Sequence, residues 1–246
     1  MKILSAALLG VLQGFSEFLP ISSSGHLVIA QSLIEGFEQP GVLFDVFLHL
    51  ATSFAIIIYF RNKIRNIDFK YLVLIVVGSL PAFIFGFLFR DNLIGLFKSV
   101  RVVGVGLIVT SILNFSTDRF YSKRTLIGRI DAFIIGFFQA FAIIPGVSRS
   151  GSTIFAGTYL GIEREKSAYF SFLLSIPAIF GASVYELISY TGSFDGLSSF
   201  YFVGFLAAFL SSLVAINFVL RFLNMKLFKI FSLYTFILGL LAIFVF

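Results

Sequence analysis

A glutamate, a histidine and an arginine sit in two short polar interruptions of an otherwise oily chain. The first interruption, residues 13–26, reads QGFSEFLPISSSGH, and the second, residues 139–153, reads QAFAIIPGVSRSGST. Gln13 and Glu17 stand four apart, on one face of a helical limb. The serines Ser22, Ser23 and Ser24 then turn the chain through Gly25 into a second limb, with His26 in its opening turn. Ser148, Arg149, Ser150 and Gly151 open the matching limb of the other interruption. Helix starts leave N–H groups unpaired and carry partial positive charge, so each turn is suited to an anion. Two such turns facing one another, with the Arg149 guanidinium between them, would suit a diphosphate. Glu17 can hold a divalent cation or activate water, and His26 can serve as a nucleophile or as a general acid or base.

Cost argues that these residues are there for chemistry. A charged side chain near mid-bilayer costs about 2.5–3.5 kcal/mol on insertion scales, so Glu17 and Arg149 are hard to explain as packing. The plainer reading is that they pair only to lock two halves of the chain together, but such a lock does not require the Ser/Gly turns around it. Serines at a turn are more often caps than ligands, which gives Ser22 and Ser24 less weight than Arg149. His49 follows Asp45 by four residues on one helical face. That spacing suggests a supporting pair behind the site, or a buried hydrogen bond that only holds structure.

The elements that position these residues come as copies. Aligned without gaps at an offset of 126, residues 10–25 match residues 136–151 at Gly10/Gly136, Gln13/Gln139, Phe15/Phe141, Ser22/Ser148, Ser24/Ser150 and Gly25/Gly151. Six identities in sixteen positions point to an internal duplication. The expected repeats cover about 1–115 and 130–246 within a single membrane domain. Met1-Lys2 followed by an apolar run and the small residues Gly14 and Ser16 has the layout of a secretory signal, but the second copy has that layout deep inside the chain.

Composition narrows the class. The 246 residues are 59% hydrophobic and 12% charged, with a mean hydropathy of +1.03, which reads as a polytopic membrane protein. Absence of cysteine removes disulfides, iron–sulfur clusters and thiolate zinc sites, and two histidines are too few for a multi-histidine metal centre. The net charge of +6 is spread over short loops, so it speaks for orientation in a membrane and against nucleic acid.

Six apolar segments are long enough to span: about 42–60, 71–89, 99–115, 167–188, 200–221 and 227–246. Four shorter pieces, about 3–18, 22–34, 130–144 and 148–161, form two pairs broken near Pro20 and Pro145. Each pair is expected to be a re-entrant helical hairpin. One hairpin and three crossings per half put the second half upside down relative to the first, and such inverted repeats commonly place their sites near the midplane. Loop charge agrees: Arg61, Lys63, Arg65, Lys70, Arg119, Lys123, Arg124, Arg129, Arg164, Lys166, Arg221, Lys226 and Lys229 fall on one face, against Lys2, Arg90, Lys98 and Arg101 on the other. The cation-rich face is expected to be cytoplasmic and both termini external.

QGFSEFLPISSSGH and PGVSRSG resemble the two signature motifs of the bacitracin-resistance type undecaprenyl-diphosphate phosphatases, integral membrane enzymes that recycle the lipid carrier of cell-wall synthesis. The resemblance covers essentially the whole chain. It implies an all-α fold in the bacterial plasma (inner) membrane and hydrolysis of a polyisoprenyl diphosphate to the monophosphate and inorganic phosphate. It further implies a divalent metal, Mg2+ or Ca2+, at Glu17, catalytic roles for Glu17, His26 and Arg149, substrate contacts from Ser22, Ser23, Ser24, Gly25, Ser148, Ser150 and Gly151, and support from Gln13, Asp45 and His49. A homodimer is left open. The family's acidic motif has Glu or Gln, three residues, then Glu; here Gln13 leaves Glu17 as the single carboxylate of that pair.

Two other classes were weighed. Ser24-Gly25-His26 resembles part of the acid-phosphatase-like lipid phosphatase signature, but that class needs a histidine six residues after its Ser-Arg, where this chain has Phe155. Inverted repeats with broken helices are also typical of secondary transporters, so a lipid-phosphate flippase or anion transporter is the alternative function.

Overall fold

The structure, a computed structural model, describes residues 3–35, 43–89, 95–97, 99–120, 123–189, 199–224 and 227–245. Its helices are α1 (Ile3–Ser16), α2 (Ser23–Ser32), α3 (Leu43–Tyr59), α4 (Arg61–Arg65), α5 (Phe69–Leu88), α6 (Val100–Thr117), α7 (Arg129–Phe141), α8 (Arg149–Tyr159), α9 (Arg164–Ser189), α10 (Ser199–Asn224) and α11 (Phe228–Phe244). Lys2, Arg90, Lys98 and Lys226, together with positions 42 and 246 at the ends of two expected spans, lie outside the described residues.

Four helices, α5, α6, α9 and α10, are long and apolar enough to cross a membrane, while α1, α3 and α11 are apolar and somewhat shorter. Their outer faces carry exposed Val76, Phe83, Ile112, Leu210 and Leu233, which water would not tolerate in such numbers and lipid would. The helix starts follow local chemistry. Asp68 caps α5 by accepting from the Tyr71 N–H, and Ser99 caps α6 by accepting from that of Val102. Proline sits inside α5 at Pro81 and inside α9 at Pro177.

Small residues decide how the helices cross. Gly10 on α1 lies against the backbone of Gly204 on α10, and Gly136 on α7 lies against that of Gly78 on α5, so a Cβ at either position would overlap a carbonyl oxygen. Gly10 and Gly136 are 126 residues apart, and so are Gly78 and Gly204. The same contact is therefore made twice, each time across the two halves of the chain. Gly104 and Gly239 make a third close approach where α6 crosses α11, supported by the Ser111–Ser232 hydroxyl pair at 3.1 Å.

Two helix pairs are broken. α1 ends at Ser16 and α2 starts at Ser23, with Pro20 between them; α7 ends at Phe141 and α8 starts at Arg149, with Pro145 between them. Both second limbs are short, ten and eleven residues. The turns are buried under one core in which Phe18, Ile56, Ile154, Phe172, Ile216 and Phe228 pack together, with the Phe18 and Phe172 rings edge-on at 5.5 Å. Five other parts of the chain thus pack around Phe18 of the first turn, which fixes where its polar side chains point.

Candidate active site

The two turns touch. Gly25 faces Gly146, so closely that a Cβ on Gly25 would stand 3.2 Å from the Gly146 Cα. Gly146 itself adopts φ +87°, a conformation that glycine takes at little cost. The Ser150 hydroxyl donates to the Leu19 carbonyl at 3.1 Å, a direct tie between turns. From α6, the Asn114 amide donates to the Pro20 carbonyl at 2.6 Å. Thr110, one helical turn earlier, donates to the Gly146 carbonyl at 2.9 Å and accepts from the Ser148 N–H at 2.8 Å. One helix therefore carries the hydroxyl and the amide that hold both turns in register.

At this junction the Glu17 carboxylate meets the Arg149 guanidinium, Nη2 to Oε1 at 2.5 Å, with only 5% and 16% of the side chains exposed. A second Arg149 nitrogen donates to the Ser171 carbonyl at 3.2 Å, and its remaining N–H groups are available to an anion. The other carboxylate oxygen accepts from the Ser23 hydroxyl at 2.7 Å and from the Gln13 amide at 2.9 Å. His49 Nδ1 lies 2.8 Å from the same Gln13 nitrogen and 3.2 Å from Glu17 Oε2. The acid is thus surrounded by one guanidinium, one hydroxyl, one amide and one imidazole. His49 keeps 27% of its side chain exposed, and Ser23 and Ser24 are part-exposed, so these residues form the open side of the cluster.

His26 is held differently. Its Nδ1 lies 2.7 Å from the Ser22 carbonyl and its Nε2 lies 2.7 Å from the Tyr234 hydroxyl, with the two rings stacked at 5.5 Å. A carbonyl only accepts, so Nδ1 carries the proton and Nε2 accepts from the phenol. Ser22 stands at φ 70°, the single non-glycine residue at positive φ among the described residues. Strain of this kind costs about 1–3 kcal/mol and persists where surrounding structure imposes it. Here it turns the Ser22 carbonyl toward His26.

The expected site residues sort into three groups. Glu17, Arg149, Ser23, Gln13 and His49 come together, and His26 lies three residues beyond Ser23 on the same flank of α2. Ser22 and Ser148 act as caps, each accepting from the N–H of the glycine three residues on, so the Gly25 and Gly151 amides are already used within the turns. Ser24 and Ser150 are 3.4 and 3.3 Å from these capping hydroxyls. Asp45 accepts from Gln31 on α2 at 2.6 Å and lies close enough to His49 for their charges to interact, while His49 Nδ1 faces Glu17. Tyr234, Thr110, Asn114 and Ser171 also join the site, from outside both polar interruptions of the sequence. Asn114 and Thr110 had a usable signal, as polar residues within an apolar span.

The two copies contribute unequally. At the offset of 126, Ile143 occupies the place of Glu17, Ser152 that of His26, and Arg149 that of Ser23. Gln139, the copy of Gln13, is buried with no hydrogen-bond partner for its amide among the described residues. Carboxylate and histidine thus come from the first copy and the guanidinium from the second.

Among the described residues no three His, Cys, Asp or Glu side chains cluster as a ready-made metal cage. Gln13 Oε1, however, is buried without a partner beside Glu17, and an amide oxygen next to a carboxylate is a donor set that Mg2+ or Ca2+ accepts.

A family model described as bacitracin resistance protein BacA matches residues 6–241. An undecaprenyl-diphosphatase of Syntrophotalea carbinolica is 38% identical, over 97% of this chain and 97% of its own length. Undecaprenyl-diphosphatase 4 of Bacillus thuringiensis subsp. konkukian is 38% identical over 99% of this chain and 97% of its own, and an undecaprenyl-diphosphatase of Methanococcus vannielii is 38% identical over 96% and 98%.

Proposed function

Because the chain belongs to the bacitracin resistance protein BacA family, we propose that the Glu17–Arg149 junction is where it hydrolyses undecaprenyl diphosphate. The chain is a multi-pass membrane phosphatase that converts this lipid to undecaprenyl phosphate and inorganic phosphate, which recycles the carrier for peptidoglycan synthesis and gives bacitracin resistance. The observation that carries the site is the meeting of a buried carboxylate with a part-buried guanidinium where the two turns touch.

Arg149 clamps the diphosphate through the N–H groups it does not spend on Glu17 and Ser171, and neutralises charge as it builds on the phosphoryl oxygens. Positioning and charge neutralisation carry most of such a reaction. Ser23 is the attacking hydroxyl, since it already donates to the single carboxylate of the cluster. Its proton passes to Glu17 Oε2 as Ser23 Oγ bonds to the terminal phosphorus. The bridging P–O bond breaks, and undecaprenyl phosphate leaves with that electron pair. Water then attacks the phosphoserine, the Ser23 Oγ–P bond breaks to give inorganic phosphate, and Glu17 returns its proton to Ser23 Oγ. His26, on the same flank of α2, takes the water proton in that second step. Glu17 and Gln13 would hold a divalent cation, which when bound would supply further charge neutralisation.

In the membrane, α3, α5, α6, α9, α10 and α11 are the six crossings, and α1–α2 and α7–α8 are re-entrant hairpins of two inverted repeats. The doubled glycine contacts, Gly10 on Gly204 and Gly136 on Gly78, support this symmetry. The skewed loop charge supports external termini in the plasma membrane. Purified protein in detergent should release phosphate from undecaprenyl diphosphate. Transport of the intact lipid across vesicles without any phosphate release would instead favour a flippase.

A further inference from the structure

Three helices that hand contacts to the site are tied together at one end by a buried aspartate. Asp118 directly follows α6. Its Oδ2 accepts from the Lys229 N–H at the start of α11 at 3.1 Å, and its Oδ1 lies 3.7 Å from Nη2 of Arg164, the first residue of α9. The same Arg164 nitrogen donates to the Thr117 and Asp118 carbonyls at 3.4 and 3.3 Å, which closes the C-terminal end of α6. Only 3% of the aspartate side chain and 12% of the arginine side chain are exposed. Asp118 stands four residues from Asn114, Arg164 seven from Ser171 and Lys229 five from Tyr234. At about 1.5 Å per residue, the clasp is about 6 to 10 Å of helix away from each of those contacts. Asn114 holds the Pro20 carbonyl, the Ser171 carbonyl receives Arg149, and Tyr234 donates to His26. Phe228, beside Lys229, and Phe172, beside Ser171, pack in one core with Phe18, the neighbour of Glu17.

The pair is poor glue for the fold. At 3.7 Å it is longer than a hydrogen bond, and Asp118 Oδ1 and Arg164 Nε are both buried with no hydrogen-bond partner among the described residues. Loss of water offsets the attraction in so incompletely satisfied a pair, and the best-attested use of buried pairs is to fix register. We propose that Asp118 and Arg164 are positioning residues for the catalytic turns. Their clasp sets how far α6, α9 and α11 stand along one another, so that Asn114, Ser171 and Tyr234 reach Pro20, Arg149 and His26 together. This rests on the reading of the chain as a lipid-diphosphate phosphatase and adds residues that govern turnover from outside the site. The tolerance is small: the Asn114 and Tyr234 bonds are 2.6 and 2.7 Å long, and a slide of about 1 Å along either takes it past hydrogen-bonding length.

Asp118→Ala removes both ties, whereas Asp118→Asn keeps an acceptor for the Lys229 N–H. Per folded protein, Asp118→Ala should lower kcat on undecaprenyl diphosphate by about 10- to 100-fold with KM nearly unchanged, and Asp118→Asn should recover most of the loss. The double variant Asp118→Leu with Arg164→Met replaces the pair by apolar side chains. It should melt in detergent close to wild type yet turn over as slowly as Asp118→Ala, and it carries the same test if Asp118→Ala does not fold. A spectroscopic readout separates register from mere fastening. With two histidines in the chain, 15N-histidine labelling resolves His26 once His49→Gln identifies the other ring, and the His26 Nε2 resonance reports the Tyr234 bond. That resonance should shift in Asp118→Ala and in the double variant and return in Asp118→Asn. Variants that melt early but keep kcat and the resonance would make the clasp a fastening alone and overturn the proposal. Slow variants with an unmoved resonance, or an Asp118→Asn as slow as Asp118→Ala, overturn it as well. Wild type that releases no phosphate would instead overturn the phosphatase reading, while the resonance would still report on the clasp.

Discussion

Glu17 and Arg149 are 132 residues apart in the chain and 2.5 Å apart in space. Neither copy of the duplicated motif holds both, because Ile143 replaces the glutamate in the second copy and Ser23 stands where the first would have its arginine. The ion pair therefore exists only when the two turns are pressed together, and the contacts that press them become testable parts of the activity.

The doubled glycine crossings should be intolerant of a single methyl group. Gly10→Ala and Gly136→Ala each drive a Cβ into backbone, of Gly204 and Gly78, which cannot give way as a side chain would. Each should lose about 1–3 kcal/mol of stability, the usual cost of overpacking, and melt earlier in detergent. Gly181→Ala meets nothing within 4 Å and is the control that should melt as wild type does.

If Ser23 is the attacking hydroxyl, Ser23→Ala should lower kcat by a factor of about 10²–10⁴ while substrate binding survives. Acid quench during turnover should then trap phosphate on Ser23 in the wild type. Phosphate trapped on His26 would transfer the nucleophile's role to the imidazole.

Gln13 bears on the metal. Chelation should depress phosphate release and added Mg2+ or Ca2+ should restore it. Gln13→Glu puts a second carboxylate 2.9 Å from Glu17, a repulsion that a divalent ion relieves, so this variant should depend more steeply on metal than wild type does. Equal metal dependence in the two proteins would take position 13 out of the ion's shell.

The parts of this arrangement that were legible in the sequence are those written in local pattern. Long apolar runs gave the helices: α3, α5, α6, α9, α10 and α11 start and end within a few residues of the expected segments. Pro20 and Pro145 marked the breaks, and the cost of ionisable residues in oil singled out Glu17 and Arg149. Contacts that depend on how a helix is rotated were not legible. Four-residue spacing placed Asp45 beside His49, but only the packing of α3 brings His49 Nδ1 to Glu17 and Gln31 of α2 to Asp45. Tyr234 is one of nine tyrosines and sits in no motif, so nothing short of the packing of α11 on α6, which also carries α2, brings it to His26. The positive φ of Ser22 was equally hidden, because sequence rules reserve that conformation for glycine.

The most direct measurement is a double-mutant cycle on phosphate release with Glu17→Met, Arg149→Met and both together, at equal amounts of folded protein. If the pair is the working centre, each single change should cost a factor of about 10²–10³ and the double change should recover none of it. A double variant that hydrolyses undecaprenyl diphosphate at the wild-type rate would show that the two charges only fasten the halves together, and the account would be wrong.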